Sequence, residues 1–211
     1  MDETPREPAT VWWFSRKVTV WIVAGALLTL LIFGVACVYI PYHRERQIAR
    51  DIEFVGGAAE FEFFGPDWIP FRVQRRVPFW ERITIVDLKR TSVTDAGLEH
   101  LKGLTNLVHL NLENTSVTDA GLEHLKGLSS LRGLILSSTQ VTNAGLEHLK
   151  GLTNLEQLNL ENVSVTNAGL EHLKKLSSLR FLHLDYTQTT PVGRASLQKA
   201  LPGCQILCLD P

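Results

Sequence analysis

The stretch VTDAGLEHLKGL, residues 117–128, decides the fold of this chain because it recurs at a fixed interval. Copies that are identical or differ at no more than two positions begin at Val93, Val141 and Val165, so the period is 24 residues. A period in this range is typical of a solenoid, whose units bury their hydrophobic faces only by stacking on one another. The sequence therefore predicts a repeat domain rather than a single globular core.

Each repeat combines a short strand pattern with a short helix pattern. In Leu110-Asn111-Leu112 the two leucines are expected to face a core and Asn111 the opposite side, since side chains alternate along a strand. Leu122 and Leu125 are three residues apart and predict a helical turn that packs onto the same core. Strands about 4.8 Å apart, opposite bulkier helices, make the stack curve with the sheet on its concave face.

Local signals mark the ends of these elements. Thr118 or Asp119 is a suitable N-cap for the helix, and Gly127 suits a left-handed residue at its C-terminus. The turn after each strand carries a threonine, whose hydroxyl group can bond to the backbone, except at Val163. We expect a weaker turn there.

The consensus L-x-x-L-x-L-x-x-T-x-V-T-[DN]-A-G-L-x-x-L-x-x-L resembles the leucine-rich-repeat family in its 24-residue form, over residues 83–211. The resemblance implies an α/β fold: a curved leucine-rich-repeat solenoid with a parallel β-sheet on the concave face and short helices on the convex face. The family usually has Asn or Cys where this chain has threonine or Val163. Members commonly bind proteins on the concave sheet, which implies a protein partner.

An apolar segment precedes the repeats. Residues 18–40 contain no charged side chain, and a helix of this length measures roughly 35 Å against a hydrocarbon core of about 30 Å. We therefore predict a single transmembrane helix over residues 18–42 that contacts the lipid bilayer through residues 18–40. A cleaved leader, or a lipoprotein processed at Cys37, is the alternative, although the apolar run continues past that cysteine.

The chain then divides into four predicted parts. Residues 1–17 form a disordered tail, 18–42 the transmembrane helix, 43–82 a juxtamembrane helix and N-terminal cap, and 83–211 the repeats. Within the cap, a helix is expected to end at Gly56-Gly57 and a strand to follow. The aromatic residues of the cap are expected to cover the first repeat; they include Trp68, Phe71, Phe79 and Trp80.

This arrangement is similar to that of bacterial single-pass membrane-anchored repeat proteins of unassigned function. Basic residues flank the apolar segment equally on both sides, so the positive-inside rule does not orient it. The short N-terminal tail is typical of a signal anchor whose N-terminus is cytoplasmic. We therefore expect the repeat domain on the non-cytoplasmic side.

The internal copies differ mainly along their strands, where we place a candidate binding surface. The middle outward column reads Asp87, Asn111, Ile135, Asn159, His183 and Cys208. The preceding column reads Ile85, His109, Gly133, Gln157, Phe181 and Ile206. The following column reads Lys89, Glu113, Ser137, Glu161, Asp185 and Asp210. The candidate binding residues are His109, Asn111, Glu113, Gln157, Asn159, Glu161, Phe181, His183, Asp185 and Tyr186.

Other classes of function find no support in the sequence. The net charge of −1 gives no concentrated basic surface for nucleic acid. No nucleophile, phosphate-loop or zinc-protease motif occurs, so we expect neither an enzyme nor a cofactor. Four histidines recur at 24-residue spacing on the predicted outer helices and are expected to face solvent rather than a metal; they are His100, His124, His148 and His172.

Two further roles remain open as alternatives. The last half-repeat, from Cys204 to Asp210, has no evident cap, so its sheet edge could pair with another copy of the chain. Such a protein would be a self-associating scaffold of the membrane or envelope. The repeats are also similar to those of F-box-type ubiquitin-ligase adaptors. That role is less favoured because an apolar segment stands where an F-box would.

Overall fold

The computed structural model describes Thr29, residues 40–64 and residues 81–209. The predicted tail, and the predicted transmembrane helix apart from Thr29 and residues 40–42, lie outside this part of the chain. None of the helices formed by the described residues has the length and apolar character needed to span a bilayer. Trp68, Phe71, Phe79 and Trp80 also lie outside the described residues.

The described residues form a seven-stranded sheet whose strands follow one another in chain order. The first strand, β1, pairs antiparallel with β2, with a shift of register between Glu60 and Phe61. All later neighbours are parallel and stay in register at the period of the repeat, as in Leu110 opposite Leu134. The strands are β1 Ala58–Phe63, β2 Glu81–Asp87, β3 His109–Asn111, β4 Gly133–Ile135, β5 Gln157–Asn159, β6 Phe181–His183 and β7 Gln205–Leu207.

Short helical segments return the chain from each strand to the next on the opposite side of the core. The described helices are α1 at residues 40–54, α2 Asp95–Leu98, α3 Asp119–Leu122, α4 Asn167–Leu173 and α5 Pro191–Ala200. The 3-10 helices are Glu99–Leu101, Glu123–Leu125 and Gly145–Gly151. Between them and the sheet lies one continuous core that includes Leu110, Leu112, Leu122 and Leu125, none more than 1% exposed. The predicted assignment of leucines to the core is confirmed.

Helix α1 covers the open end of the first repeat. Ile48, Ala49 and Ile52 are each 5% exposed and join the repeat core, and the turn after the helix contains Gly56 with φ of 85°. The carboxylate of Glu45 accepts a hydrogen bond from the Ile83 amide at 2.8 Å. Burial raises the pKa of this carboxyl group, opposed by that hydrogen bond and by nearby arginines. The helix and strand expected on either side of Gly56-Gly57 are both present.

Consecutive repeats are joined by an acid or amide side chain at the start of each helical segment. Asp119 accepts hydrogen bonds from the Thr142 amide at 2.7 Å and from the Thr142 hydroxyl at 2.6 Å. Asn143 makes the equivalent pair one repeat later: its Oδ1 accepts from the Thr166 amide, and its Nδ2 donates to the Thr166 hydroxyl. We call this series the Asp/Asn ladder. Its members are Asp95, Asp119, Asn143 and Asn167.

The ladder explains the glycine at this position in every repeat after the first: Gly121, Gly145, Gly169 and Gly193. A Cβ atom at Gly145 would overlap the Asp119 carboxylate, and one at Gly121 would overlap Asp95. Neither glycine has a positive φ, so the requirement is for space rather than for backbone freedom. The sequence T-[DN]-A-G therefore has two roles. Its Asp or Asn bonds to the next repeat, and its glycine leaves space for the Asp or Asn of the preceding repeat.

The end signals of the helices were only partly predicted. Thr118 caps α3 by accepting a hydrogen bond from the Ala120 amide. Asp119 instead accepts hydrogen bonds from Thr142 of the next repeat. The prediction of a left-handed Gly127 is wrong: among the described glycines only Gly56 and Gly103 have positive φ. The chain enters the next loop from Lys126 in a right-handed conformation and needs no such residue.

The register predicted for the last strand is also wrong by one residue. Gln205 lies opposite Phe181 and Leu207 opposite His183, so Ile206 and Cys208 belong to the core columns. The Gln205 amide donates to Arg180 O, as the Phe181 amide donates to Glu156 O one repeat earlier. Because these backbone bonds carry the 24-residue spacing into β7, the outward columns end at Gln205 and Leu207 rather than at Ile206 and Cys208.

The threonine after each strand closes its turn as expected. The hydroxyl groups of Thr115 and Thr139 donate to Leu112 O at 2.8 Å and Leu136 O at 2.7 Å. Val163, which is 3% exposed, occupies the same position and has no hydroxyl group with which to reach Leu160 O.

We expect Val163→Thr to stabilise the domain by about 1 kcal/mol, because the new hydroxyl group gains this hydrogen bond. Thermal unfolding followed by circular dichroism would show a rise of about 2–4 °C in Tm for a domain of this size. Thr139→Val is the matched control and should lower Tm by a similar amount. An unchanged or lower Tm in Val163→Thr would contradict this account of the turn.

We expect Gly145→Ala to destabilise the domain by about 1–3 kcal/mol, because the added methyl group displaces Asp119 and breaks its two bonds to Thr142. Urea denaturation would measure the loss. Gly151→Ala is the matched control: no atom lies within 4 Å of its Cβ position and its φ is not positive. It should be neutral or slightly stabilising. Equal losses in the two variants would rule out the ladder as the reason for the glycine.

Candidate functional site

The outward face of strands β2–β6 forms an open trough with a volume of about 520 Å³. Six of the predicted binding residues line it together: His109, Asn111, Gln157, Asn159, Phe181 and His183. Their side chains project from strands whose backbones are paired on both sides. The strand backbone therefore fixes the spacing of these groups before anything binds.

The trough mixes apolar and polar groups, with Asp87 as its one acidic side chain among the described lining residues. Ile85, Ile135 and Phe181 contribute hydrophobic surface, and Phe181 is 39% exposed. Hydrogen-bonding groups come from Gln157, His109 and His183. Such a surface suits the side chains and backbone of another polypeptide, since a mostly apolar lining with a few polar groups is typical of recognition sites.

Gly133 provides space for a neighbouring side chain within the trough. A Cβ atom there would overlap Nδ1 of His109, so the imidazole ring of the neighbouring strand lies across this glycine. Gly133 sits between His109 and Gln157 in the same outward column. The absence of a side chain at Gly133 thus allows the His109 ring to lie where it does.

Two predicted residues also have a structural task. Oδ1 of Asn111 accepts a hydrogen bond from the Glu113 amide at 3.0 Å, and Oδ1 of Asn159 accepts one from the Glu161 amide at 2.8 Å. Bonds of this kind hold the backbone in a turn. Replacing either asparagine would therefore alter the turn as well as the surface of the trough.

The other four predicted residues do not line the trough. Glu113, Glu161, Asp185 and Tyr186 lie in the turns beyond the strands and form one rim of it. Glu113 lies 3.8 Å from Arg90, and Asp185 accepts a hydrogen bond from the Leu209 amide. Of the acidic side chains on this rim, Glu113 is therefore paired with a basic residue and Asp185 with a backbone amide.

Tyr186 is 69% exposed and has φ of 57°, a left-handed conformation that is uncommon outside glycine. The same conformation recurs at each equivalent turn position, with φ between 53° and 55°, in Arg90, Asn114, Ser138 and Asn162. It is therefore a property of the repeat and not a strain particular to a site.

Four outward-facing residues that line the trough were not among the predicted binding residues: Ile85, Asp87, Gly133 and Ile135. Their signal was present in the sequence, because they occupy the same outward columns as the residues selected. Ile85 and Ile135 add apolar surface of the kind that a protein partner would bury.

The helical side of the described repeats carries a row of paired charges. Each repeat has a Glu and a Lys three residues apart in contact on its exposed surface, as in Glu147 and Lys150 at 3.0 Å. Within the described residues, no three histidine, cysteine, aspartate or glutamate side chains are placed to hold a metal ion. His100 is exposed, and His124, His148 and His172 are half-buried, each in the repeated environment of its own helix.

Comparison with known proteins gives only structural similarities. No family model and no curated protein matches the chain. A leucine-rich-repeat protein of Leptospira interrogans is 24% identical with a TM-score of 0.44, covering 52% of this chain and 27% of its own. Internalin C2 of Listeria monocytogenes is 23% identical with a TM-score of 0.34, covering 60% and 81%.

The ectodomain of the receptor kinase SOBIR1 of Arabidopsis thaliana is 14% identical with a TM-score of 0.49, covering 79% of this chain and 91% of its own. All of these similarities are too distant to carry an argument about function, and the chain spans about a quarter of the Leptospira protein. The architecture rests on this chain's own repeat, strand register and leucine core. On that basis the repeat region is a leucine-rich-repeat solenoid.

Proposed function

We propose that this chain is a single-pass membrane protein that presents the trough of its solenoid to a protein partner on the non-cytoplasmic side. The observation that carries the proposal is the trough itself. The repeats are almost identical along their helices, yet six side chains of different chemistry converge on one preformed surface.

Binding is the activity that this geometry favours. The strands already hold the trough side chains in place. Binding of a partner would therefore cost this chain little conformational entropy. Phe181 is the best candidate for an anchor, because partly exposed aromatic side chains in a trough often dominate the energy of an interface. Gln157, on the adjacent strand, would supply hydrogen bonds beside it.

The anchoring part of the proposal is supported by sequence and by α1. Residues 18–40 have the length and composition of a membrane span. The helix that follows in sequence, α1, packs its Ile48 and Ile52 into the solenoid core. A membrane segment ahead of α1 would therefore be joined to the solenoid through a packed helix and not through a flexible linker.

A second candidate, self-association through the last strand, is favoured by incomplete burial at β7. Ile206 and Cys208 are half-buried, whereas Leu182 and Leu184, their equivalents one repeat earlier, are fully buried. Leu209 beyond them is 68% exposed. Among the described residues β7 pairs with β6 alone, and a strand edge without a partner can pair with another chain. A dimer would make the protein a scaffold of the membrane or envelope.

A photo-reactive amino acid at position 157 of the full chain would test the trough in cells that make the protein. We expect a covalent adduct with a protein partner, and we expect Phe181→Ala to reduce its yield strongly. Loss of an anchor of about 2 kcal/mol weakens binding about 30-fold. The matched control is Glu147→Ala with Lys150→Ala, an exposed pair on the helical side whose loss should leave the yield unchanged.

Equal yields from the Phe181 and control variants would move the site away from the trough. An adduct of twice the mass of the chain, lost when β7 is altered by Ile206→Lys but not by Phe181→Ala, would favour self-association instead. Circular dichroism of each purified variant separates loss of binding from loss of folding.

Protease treatment of intact cells, with permeabilised cells as control, tests the proposed location. We expect digestion of residues 43–211 in intact cells, because the repeat domain lies outside the cytoplasm in this proposal. Protection of the repeat domain until permeabilisation would place it in the cytoplasm and direct the search for a partner there.

A further inference from the structure

The two sides of the solenoid, at the two ends of its strands, differ in charge. We call the loops that lead into the strands the strand-start flank; they are residues 102–108, 126–132, 150–156 and 174–180. These loops carry seven lysines and arginines and one glutamate. The turns that follow the strands are residues 88–95, 112–119, 136–143, 160–167 and 184–191. They carry five carboxylates and two basic residues.

This asymmetry is not evident from the whole chain, whose net charge is −1. It arises because the 24-residue period places like-charged positions on the same side of every unit. Four lysines of the strand-start flank lie 2.6–3.8 Å from a glutamate three residues earlier on the helical side. Such exposed pairs contribute little to stability, so breaking them to bind another anion would cost little. Lys175 and Arg180 add exposed positive charge at the end of the flank near β7.

Helix α1 begins on this same side. Arg44 donates a hydrogen bond to Lys102 O, and Glu45 accepts one from the Ile83 amide near the start of β2. The other end of α1 lies at the end of β2, where the space at Gly57 is closed by Asp87 O and Leu88. The helix therefore runs alongside β2 in the same direction, and the chain enters it from the strand-start flank.

From these two observations we infer that the strand-start flank rests against an anionic bilayer surface, with the strands pointing away from the membrane. The inference depends on the membrane anchor of the proposed function. If a membrane span precedes α1 in sequence, the strand-start flank is the side of the solenoid nearest the bilayer. Lysine and arginine side chains there would meet lipid phosphates, while Glu113, Glu161 and Asp185 would face away from the membrane. The trough would open sideways, accessible along the membrane plane.

The orientation can be measured with the full chain in lipid nanodiscs made with and without phosphatidylglycerol. A genetically encoded fluorophore is placed at Thr153 on the strand-start flank or at Ser116 on the opposite side, both of which are exposed. Lipids with a nitroxide on the headgroup quench a fluorophore that lies at the membrane surface. We expect strong quenching at position 153 and little at position 116, with the difference largest when phosphatidylglycerol is present.

Charge reversal provides the matched variants. Each basic residue near an anionic surface strengthens attachment about fivefold, so Lys175→Glu with Arg180→Glu should lower the ratio of docked to undocked solenoid at least about 30-fold. Quenching at position 153 should fall accordingly. Lys89→Glu with Arg90→Glu makes the same change of net charge on the opposite side and should leave it unchanged.

Equal quenching at positions 153 and 116, or stronger quenching at 116, would overturn the inferred orientation while leaving the anchor intact. Strong quenching at 153 that is independent of phosphatidylglycerol and of the Lys175 and Arg180 substitutions would overturn the electrostatic contact. In that case the basic flank would be free for an acidic protein. A chain that does not remain with the nanodiscs would contradict the membrane anchor itself, and the inference with it.

Discussion

The bond from an acid or amide side chain to the threonine of the next repeat is the interaction on which this solenoid depends. Leucines alone would make the repeats cohere, but hydrophobic contact has no direction and would permit sliding between units. Asp119 bonds both to the backbone amide and to the hydroxyl group of Thr142, which fixes one register. Asn143 also makes two hydrogen bonds to Thr166: its Oδ1 accepts from the backbone amide, and its Nδ2 donates to the hydroxyl group. The ladder and the parallel sheet thus hold the two sides of the core at the same period.

The outward strand positions are free to vary because other groups stabilise the fold. The leucines provide burial, the ladder joins the helical segments, and backbone bonds join the strands. No outward side chain of β4, for example, is needed for any of these tasks, so Gly133 and Ile135 can stand where other repeats carry His109 and Asn111. Variation accumulates where stability does not constrain it, which is also where a partner could be recognised. Asn111 and Asn159 are the exceptions, because their side chains also hold the turn.

The 24-residue period that places leucines in the core also places basic and acidic side chains on opposite sides of the solenoid. A residue conserved between repeats recurs on one side of the solenoid, so a single lysine in the unit becomes a row of them. Lys102, Lys126, Lys150 and Lys174 are such a row, while the ladder aspartates and Glu113 and Glu161 stand on the other side. The entry of α1 on the basic side gives this polarity a direction relative to the rest of the chain.

The sequence by itself determined the repeat, the leucine core, the parallel sheet and the outward columns, because each depends on spacing along the chain. It did not reveal the ladder, since the bond of Asp119 joins residues 23 positions apart and uses a side chain that is equally suited to capping its own helix. It misplaced Ile206 and Cys208 because backbone pairing with β6, rather than the local order of residues, sets the register of β7. The separation of Phe181 in the trough from Tyr186 on the rim, and the resting place of His109 over Gly133, were decided only by tertiary structure. Both depend on contacts between neighbouring repeats that spacing alone does not specify.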